Sequence, residues 1–506
     1  MHGGIRKVTR KSMDAYSALE AQYGRIGKLG QAIGFLQWDQ AAMMPKGGAS
    51  ARAEEMATLH LMSHELRVDP RIGEWLNTVE SSELDSWQQA NVTEMRRAYR
   101  HATAVPADLV EAASLAGSRC EMVWRDARKA DDFAALAPHL TEVVRLARLR
   151  ATAKSEAFGV GPYDALLDQF EPGTTSAEID TLFSELETFL PGLIDRVIEH
   201  QRENTPFTWP EGPFPVPQQR ALGLKLMATL GFDFEHGRLD VSAHPFCGGS
   251  PDDVRITTRY GEDDFTQSLM GVIHETGHAL YERGLPAKWR YQPVGTARSM
   301  GIHESQSLLM EMQACRSRAF LKSVTPVLKE AFGGEGPAWE QENLYRLYTR
   351  VERGLIRVDA DEVTYPAHVI LRYRLEKAIL AGELEVADLP TAWNEAMQNL
   401  VGITPETNRD GCMQDIHWMD GTFGYFPTYT LGAMTAAQLF ESATKDVPEI
   451  LPSISQGDFT PLVDWLRTHI HGQGRHLETQ DLVTQATGRP LDVAVFRRHL
   501  ERRYLG

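Results

Sequence analysis

No stretch of this chain constrains its fold as tightly as residues 263–284, DDFTQSLMGVIHETGHALYERG. Phe265, Leu269, Val272, Ile273 and Leu280 recur at helical spacing behind Asp263 and Asp264, which suit an N-cap and first turn. Gly284 suits a C′ stop. On such a helix His274 and His278 share one face, so both imidazoles reach a single ion. Glu275 then sits beside that ion, where a carboxylate takes a proton from metal-activated water. H-E-x-x-H thus points to metal-dependent peptide hydrolysis. Five residues are a short pattern, however, and the stretch also reads as a core helix with two hydrogen-bonded histidines.

Composition bounds the setting. A chain of 506 residues, 42% hydrophobic and 24% charged, has ample material for a large globular core. Its net charge of −17 argues against nucleic acid or an anionic membrane as the main partner. Cys120, Cys247, Cys315 and Cys412 are scattered without a C-x-x-C pair, which predicts reduced thiols and a cytoplasmic location. It also leaves any zinc to histidine and carboxylate ligands. The first residues, MHGGIRKVTRKSMDAY, are basic but lack an apolar stretch of the kind that directs secretion. No apolar run approaches the length of a membrane span.

Helical periodicity dominates the rest. Amphipathic stretches with short breaks run from Ser12 to about Phe158, and 176–203 reads as one strong helix opened by Ser176 and Glu178. The Pro-rich 205–217 reads as a connection. A short β region is predicted between Leu239 and Tyr260, where Val254, Ile256, Thr258 and Tyr260 alternate with Arg255, Thr257 and Arg259. Helices return from 264 to about 400, a long Gly- and aromatic-rich loop covers 410–432, and a helical segment closes the chain. The expected fold is mainly α with a small sheet beside the H-E-x-x-H helix. It forms a single catalytic unit over 1–506, with a helical N-terminal part to about 203, a connection at 204–217 and a catalytic part from about 218.

A catalytic zinc usually has three protein ligands and an open position. Glu304, 26 residues beyond His278 at the start of another helical stretch, is the leading candidate for the third. Glu282 and Glu311 are rivals, and a glutamate at a helix start also reads as a cap.

Several ordered motifs now add up. They are His244-Pro245-Phe246, D-x-R-x-T at Asp253–Thr257, H-E-x-x-H at His274–His278 and H-E-S-Q at His303–Gln306. I-R-x-x-A-D at Ile356–Asp361 and G-x-x-Q-D-x-H-W at Gly411–Trp418 follow, then GYFPTY at Gly424–Tyr429. With FLQWDQAAMMP (35–45) and PYDALLDQFEPG (162–173), the chain resembles the carboxypeptidase Taq family of zinc metallocarboxypeptidases over nearly its whole length.

The resemblance implies His274, His278 and Glu304 as metal ligands and Glu275 as the general base that later returns the proton to the leaving amine. A carboxypeptidase must hold a free C-terminal carboxylate, and Arg255 and Arg357 are the candidate clamps, one of them expected to be structural. His417, Tyr425 and Tyr429 are candidate oxyanion donors, and His244 is a further substrate-binding candidate expected to line the same cleft. The resemblance further implies a bilobed body with a deep cleft, a homodimer, and release of single C-terminal residues with broad specificity. The substrates are peptides with a free C-terminal carboxylate. Zinc is the expected metal, with cobalt admitted by the same donors. The alternative activity is that of an oligoendopeptidase or dipeptidyl carboxypeptidase. Where some related zinc peptidases carry an Asp four residues after the ligand Glu, this chain has Leu308, so a ligand histidine must be oriented from elsewhere; Asp361 is the residue considered for it.

Overall fold

Apolar residues at helical spacing become helices along most of the chain. A computed structural model describes residues 2–204 and 206–506, and side chains from Lys11 onward. The first helices are His2–Ala42, Ala49–Arg67, Pro70–Thr78, Ser86–Thr103, Ala107–Ala130 and Phe133–Phe158. Their ends carry the expected chemistry. Asp85 and Gln88 form a reciprocal capping box, and Asp69 and Asp132 accept backbone N–H groups at their own helix starts. The strong helix runs Ser176–Asn204 and buries Ile179, Phe183, Leu186, Leu190, Leu193 and Val197.

Three strands form at the predicted β region, the first starting two residues ahead of it: β1 (Gly237–Val241), β2 (Cys247–Ser250) and β3 (Asp253–Thr258). Their order is β1-β3-β2, with β1 parallel and β2 antiparallel to β3. Val254 and Ile256 pack with Val272 and Ala279 of the H-E-x-x-H helix, so the sheet lies against that helix as expected. The alternation breaks at Thr257, which is buried too, because its hydroxyl bonds Ser242 Oγ (2.7 Å) and the Phe246 N–H (3.1 Å). Tyr260 falls beyond the strand end.

The apolar core divides near residue 100. Tyr16, Leu19, Tyr23, Ile72, Leu76 and Met95 form a small cluster within the first helices. From Cys120 to Tyr504 most buried side chains join one large cluster that takes in Phe265, Leu269, Ile273 and Leu280 of the H-E-x-x-H helix, while the sheet and the opposite side of that helix share a smaller one. Among the described residues no helix is long and apolar enough to cross a membrane.

The long loop is shorter than its composition suggests. A helix, Pro427–Asp446, begins inside the expected loop, because proline suits the first helical position. Tyr429 is therefore helical, while His417 and Tyr425 stay on the loop. Glu376, fully buried, ties this loop down by accepting from Trp418 Nε1 (2.8 Å), Gly424 N (2.7 Å) and the Tyr163 hydroxyl (2.8 Å). Burial pushes its carboxyl up from 4.5 to about 7, the three donors opposing. The folded state thus keeps a proton that the unfolded chain releases, and stability falls as pH rises through that window. Glu376→Gln is expected to flatten the decline in Tm between about pH 5 and pH 7. A decline as steep as the wild type's would assign the lost proton to another group.

Candidate metal centre and active site

The H-E-x-x-H helix spans Phe265–Gly284. Asp264 caps it by accepting from Thr266 N (2.7 Å), and extended Leu285 ends it ahead of Pro286. Gly284 is its last helical residue rather than a left-handed stop. A side chain at Gly277 would place its Cβ 2.6 Å from the Gln306 carbonyl oxygen, so only glycine lets the helix Met300–Leu308 cross in direct contact. Gly432 does the same from the other side, since a Cβ there would lie 2.8 Å from Glu304 Cβ and Cγ. Ser299 caps the Glu304 helix through Ile302 N (3.1 Å). Held this way, His274, His278 and Glu304 bring their ligating atoms within 4.8 Å of one another.

Both imidazoles are oriented by their Nδ1 atoms. His274 Nδ1 lies 2.9 Å from Glu311 Oε2, whose other oxygen accepts from Arg316 (2.6 Å). His278 Nδ1 lies 2.6 Å from His303 Nδ1, and His303 Nε2 lies 2.9 Å from Glu282 Oε1. Glu282 accepts the Nε2–H, which makes His303 Nδ1 the acceptor for His278. Each ring thereby offers its Nε2 lone pair to the shared space; His278 Nε2 is 3.7 Å from Glu304 Oε2.

A second cluster adjoins the first. Arg357, buried, donates from Nε (3.1 Å) and Nη2 (2.8 Å) to Asp415, whose other oxygen accepts from Arg372 (2.5 Å). The guanidinium lies 4.6 Å from the Tyr429 ring centre, and the Tyr429 hydroxyl is 3.2 Å from His417 Nε2. Tyr425 packs edge-on to Tyr429 at 5.3 Å. Arg357, Tyr425 and Tyr429 all lie within electrostatic reach of Glu304. Arg255 is elsewhere. It pairs with Asp253 (2.6 Å) and stacks on Trp38 (4.4 Å) and Phe35 (4.9 Å) of the first helix. The His244 side chain is exposed in the turn between β1 and β2.

Three comparisons bear on this geometry. The model of the carboxypeptidase Taq (M32) metallopeptidase family matches residues 18–504. The chain belongs to that family. It is 43% identical to thermostable carboxypeptidase 1 of Thermus thermophilus over 480 residues, covering 92% of this chain and 94% of that protein. Carboxypeptidase 1 of Bacillus subtilis is 34% identical over 484 residues, covering 95% and 96%. The solved structure of Trypanosoma cruzi metallocarboxypeptidase 1 superposes with a TM-score of 0.96 at 42% identity, covering 98% of this chain and all of that one. This carboxypeptidase Taq family member is therefore a metallocarboxypeptidase, a peptide hydrolase that works with a metal ion.

The electrostatics of the cluster fit a cation. Burial raises the Glu304 carboxyl, with His274 and Arg357 opposing, and raises Glu275 to about 7. Glu275 Oε2 is buried without a hydrogen-bond partner. Burial would lower His274, yet Glu311 and the nearby carboxylates carry it to about 10. His278 is driven well down by burial and by His303. A positive ion among these groups would favour ionised Glu304 and Glu275 and neutral imidazoles, the state that ligation requires. Two imidazoles and one carboxylate are also a donor set of catalytic zinc sites.

Glu282 and Glu311, weighed above as third ligands, are occupied with His303 and His274 instead. Asp361 does not orient a ligand. Its oxygens accept from Val363 N, Thr364 N, Thr364 Oγ1 and Glu352 N, as a helix-start cap does. His303, Asp415 and Tyr365 were not singled out from sequence. The first two lie within motifs quoted above, which carried the signal; Tyr365, within electrostatic reach of Arg357 and Glu304, had none.

Proposed function

We propose that this metallocarboxypeptidase removes one residue at a time from the C-terminus of peptides, with broad specificity. In this reading His274, His278 and Glu304 hold zinc, and Glu275 is the general base and acid. The observation that carries it is the Glu275 carboxylate, buried beside the three-residue cluster with one oxygen unpartnered. When bound, such an ion supplies a Lewis acid for the scissile carbonyl and acidifies water. Glu275, held near neutrality by burial, takes the proton at its free Oε2 and gives it to the departing amine.

Arg357 reads the substrate carboxylate in this proposal. Asp415 keeps its guanidinium ionised and fixed against the cost of burial. Its reach to Glu304 supports that role, whereas Arg255, engaged by Asp253, Phe35 and Trp38, fastens the sheet to the first helix. Tyr425, Tyr429 and His417 donate to the developing oxyanion. Burial and Arg357 lower His417 to about 4, which keeps it neutral. His244, being exposed, contacts the outer part of a peptide. A homodimer and a cytoplasmic setting complete the proposal, supported by the family likeness and by four unpaired cysteines.

A peptide with a free C-terminus is expected to lose single residues stepwise by mass spectrometry, and its C-terminal amide to resist. Dipeptide products would favour a dipeptidyl carboxypeptidase, and internal fragments an oligoendopeptidase. Cleavage of the amide at the rate of the free acid would defeat the clamp.

A further inference from the structure

The last helix of the chain, Val493–Leu505, reaches the turn that follows the Glu304 helix. The Glu304 helix runs without a break into a π-helical turn, Leu309–Ala314, that carries Glu311. In that turn Cys315 N bonds the Met310 carbonyl five residues back (2.9 Å). Such wide turns recur at functional sites and leave backbone groups in need of partners. Arg503 supplies them. Its Nη1 donates to the Met312 carbonyl and its Nη2 to that of Gln313 (3.0 Å).

Arg503 is itself held. Glu362 accepts from its Nη1 (3.0 Å), and also from His499 Nε2 (2.8 Å), Tyr504 OH (2.8 Å) and Gln313 Nε2 (2.6 Å). Glu362 is buried and the Arg503 side chain is nearly so, with side-chain exposures of 3% and 9%, so this is a fixed strut rather than a surface pair. Three of the four donors come from the last eight residues of the chain. At the other end of the turn, Glu311 holds Nδ1 of His274. A carboxylate seven residues beyond Glu304 would sit about 10 Å further along a straight α-helix. Its actual aim therefore depends on the width of the π turn.

We propose that the C-terminal helix is a positioning element of the metal centre: Arg503, held by Glu362, fixes the π turn that aims the Glu311 carboxylate at Nδ1 of His274. The inference rests on reading His274 as a metal ligand. Residues that orient a ligand histidine typically affect metal affinity by 10–100-fold.

Chelator competition and the visible spectrum of the cobalt-substituted protein test it. Arg503→Ala is expected to weaken metal affinity by about tenfold or more and to shift the cobalt bands. Arg503→Lys keeps the Glu362 pair but cannot span both carbonyls, so it should fall between, and it decides the matter if the alanine variant does not fold. Glu311→Gln should reproduce the defect, and adding Arg503→Ala to it should cause little further loss. Arg497→Ala, exposed on the same helix, should bind metal as the wild type does. Wild-type affinity and spectrum in both Arg503 variants, even with a lowered Tm, would overturn the proposal, as would full additivity with Glu311→Gln. His274→Ala separates the two levels: if it retains wild-type metal affinity, the ligand reading fails; if it loses metal while the Arg503 variants do not, only the positioning role fails.

Discussion

Glu275→Gln is expected to lower kcat by about 10²–10⁴-fold while the protein still binds one equivalent of metal. The amide keeps the shape of the carboxylate, and Glu275 is not among the three clustered candidate ligands, so the metal site should survive. What is lost is the ability to accept a proton. The raised value of about 7 also predicts an ascending limb in kcat/KM for the wild type as that carboxyl ionises, with its midpoint lowered by the bound cation. The variant's residual activity should lack that limb. Metal retention with activity within a few-fold of wild type would remove Glu275 from the mechanism.

The second large effect concerns Arg357. If Arg357 pairs with the substrate carboxylate, removing that partner of a buried ion pair costs about 3–5 kcal/mol, so Arg357→Ala should lower kcat/KM on a free-acid peptide by about 10²–10⁴-fold. Asp415 retains Arg372, which should keep the loop folded. The discriminating measurement is the ratio of free-acid to amidated substrate. It should collapse toward unity in Arg357→Ala and persist in Arg255→Ala. If the ratio collapses with Arg255 instead, the two arginines exchange roles. Equal losses on both substrates in Arg357→Ala would make Arg357 structural.

The helix carrying H-E-x-x-H was legible because its capping residue, its apolar spacing and its i, i+4 histidines are all local. The third strand was legible for the same reason, apart from Tyr260, which falls beyond its end, and Thr257, whose burial depends on Ser242 and Phe246 folding over it. The loop at 410–432 was overextended, since its glycines and aromatics concealed a helix start at Pro427. Within the site, Glu304 stood out from sequence as one candidate among three glutamates. Which of them faces the histidines depends on two close helix crossings, at Gly277 and Gly432. A glycine in a helix has many uses, and nothing in its neighbours announces that another backbone must fit there.

By itself the sequence determined a mainly helical chain, a helix with two histidines on one face and a carboxylate beside them, and membership in a family of metallopeptidases. These depend on short-range periodicity and on the order of motifs. The tertiary structure decided the partners: Glu311 on His274 across 37 residues, His303 on His278 across 25, and Asp415 on Arg357 across 58. It likewise set Arg503 against Met312, 191 residues away. A hydrogen bond or ion pair forms where packed elements leave two groups in reach, and burial removes the water that would otherwise satisfy them. Neither condition is a property of either residue's local sequence.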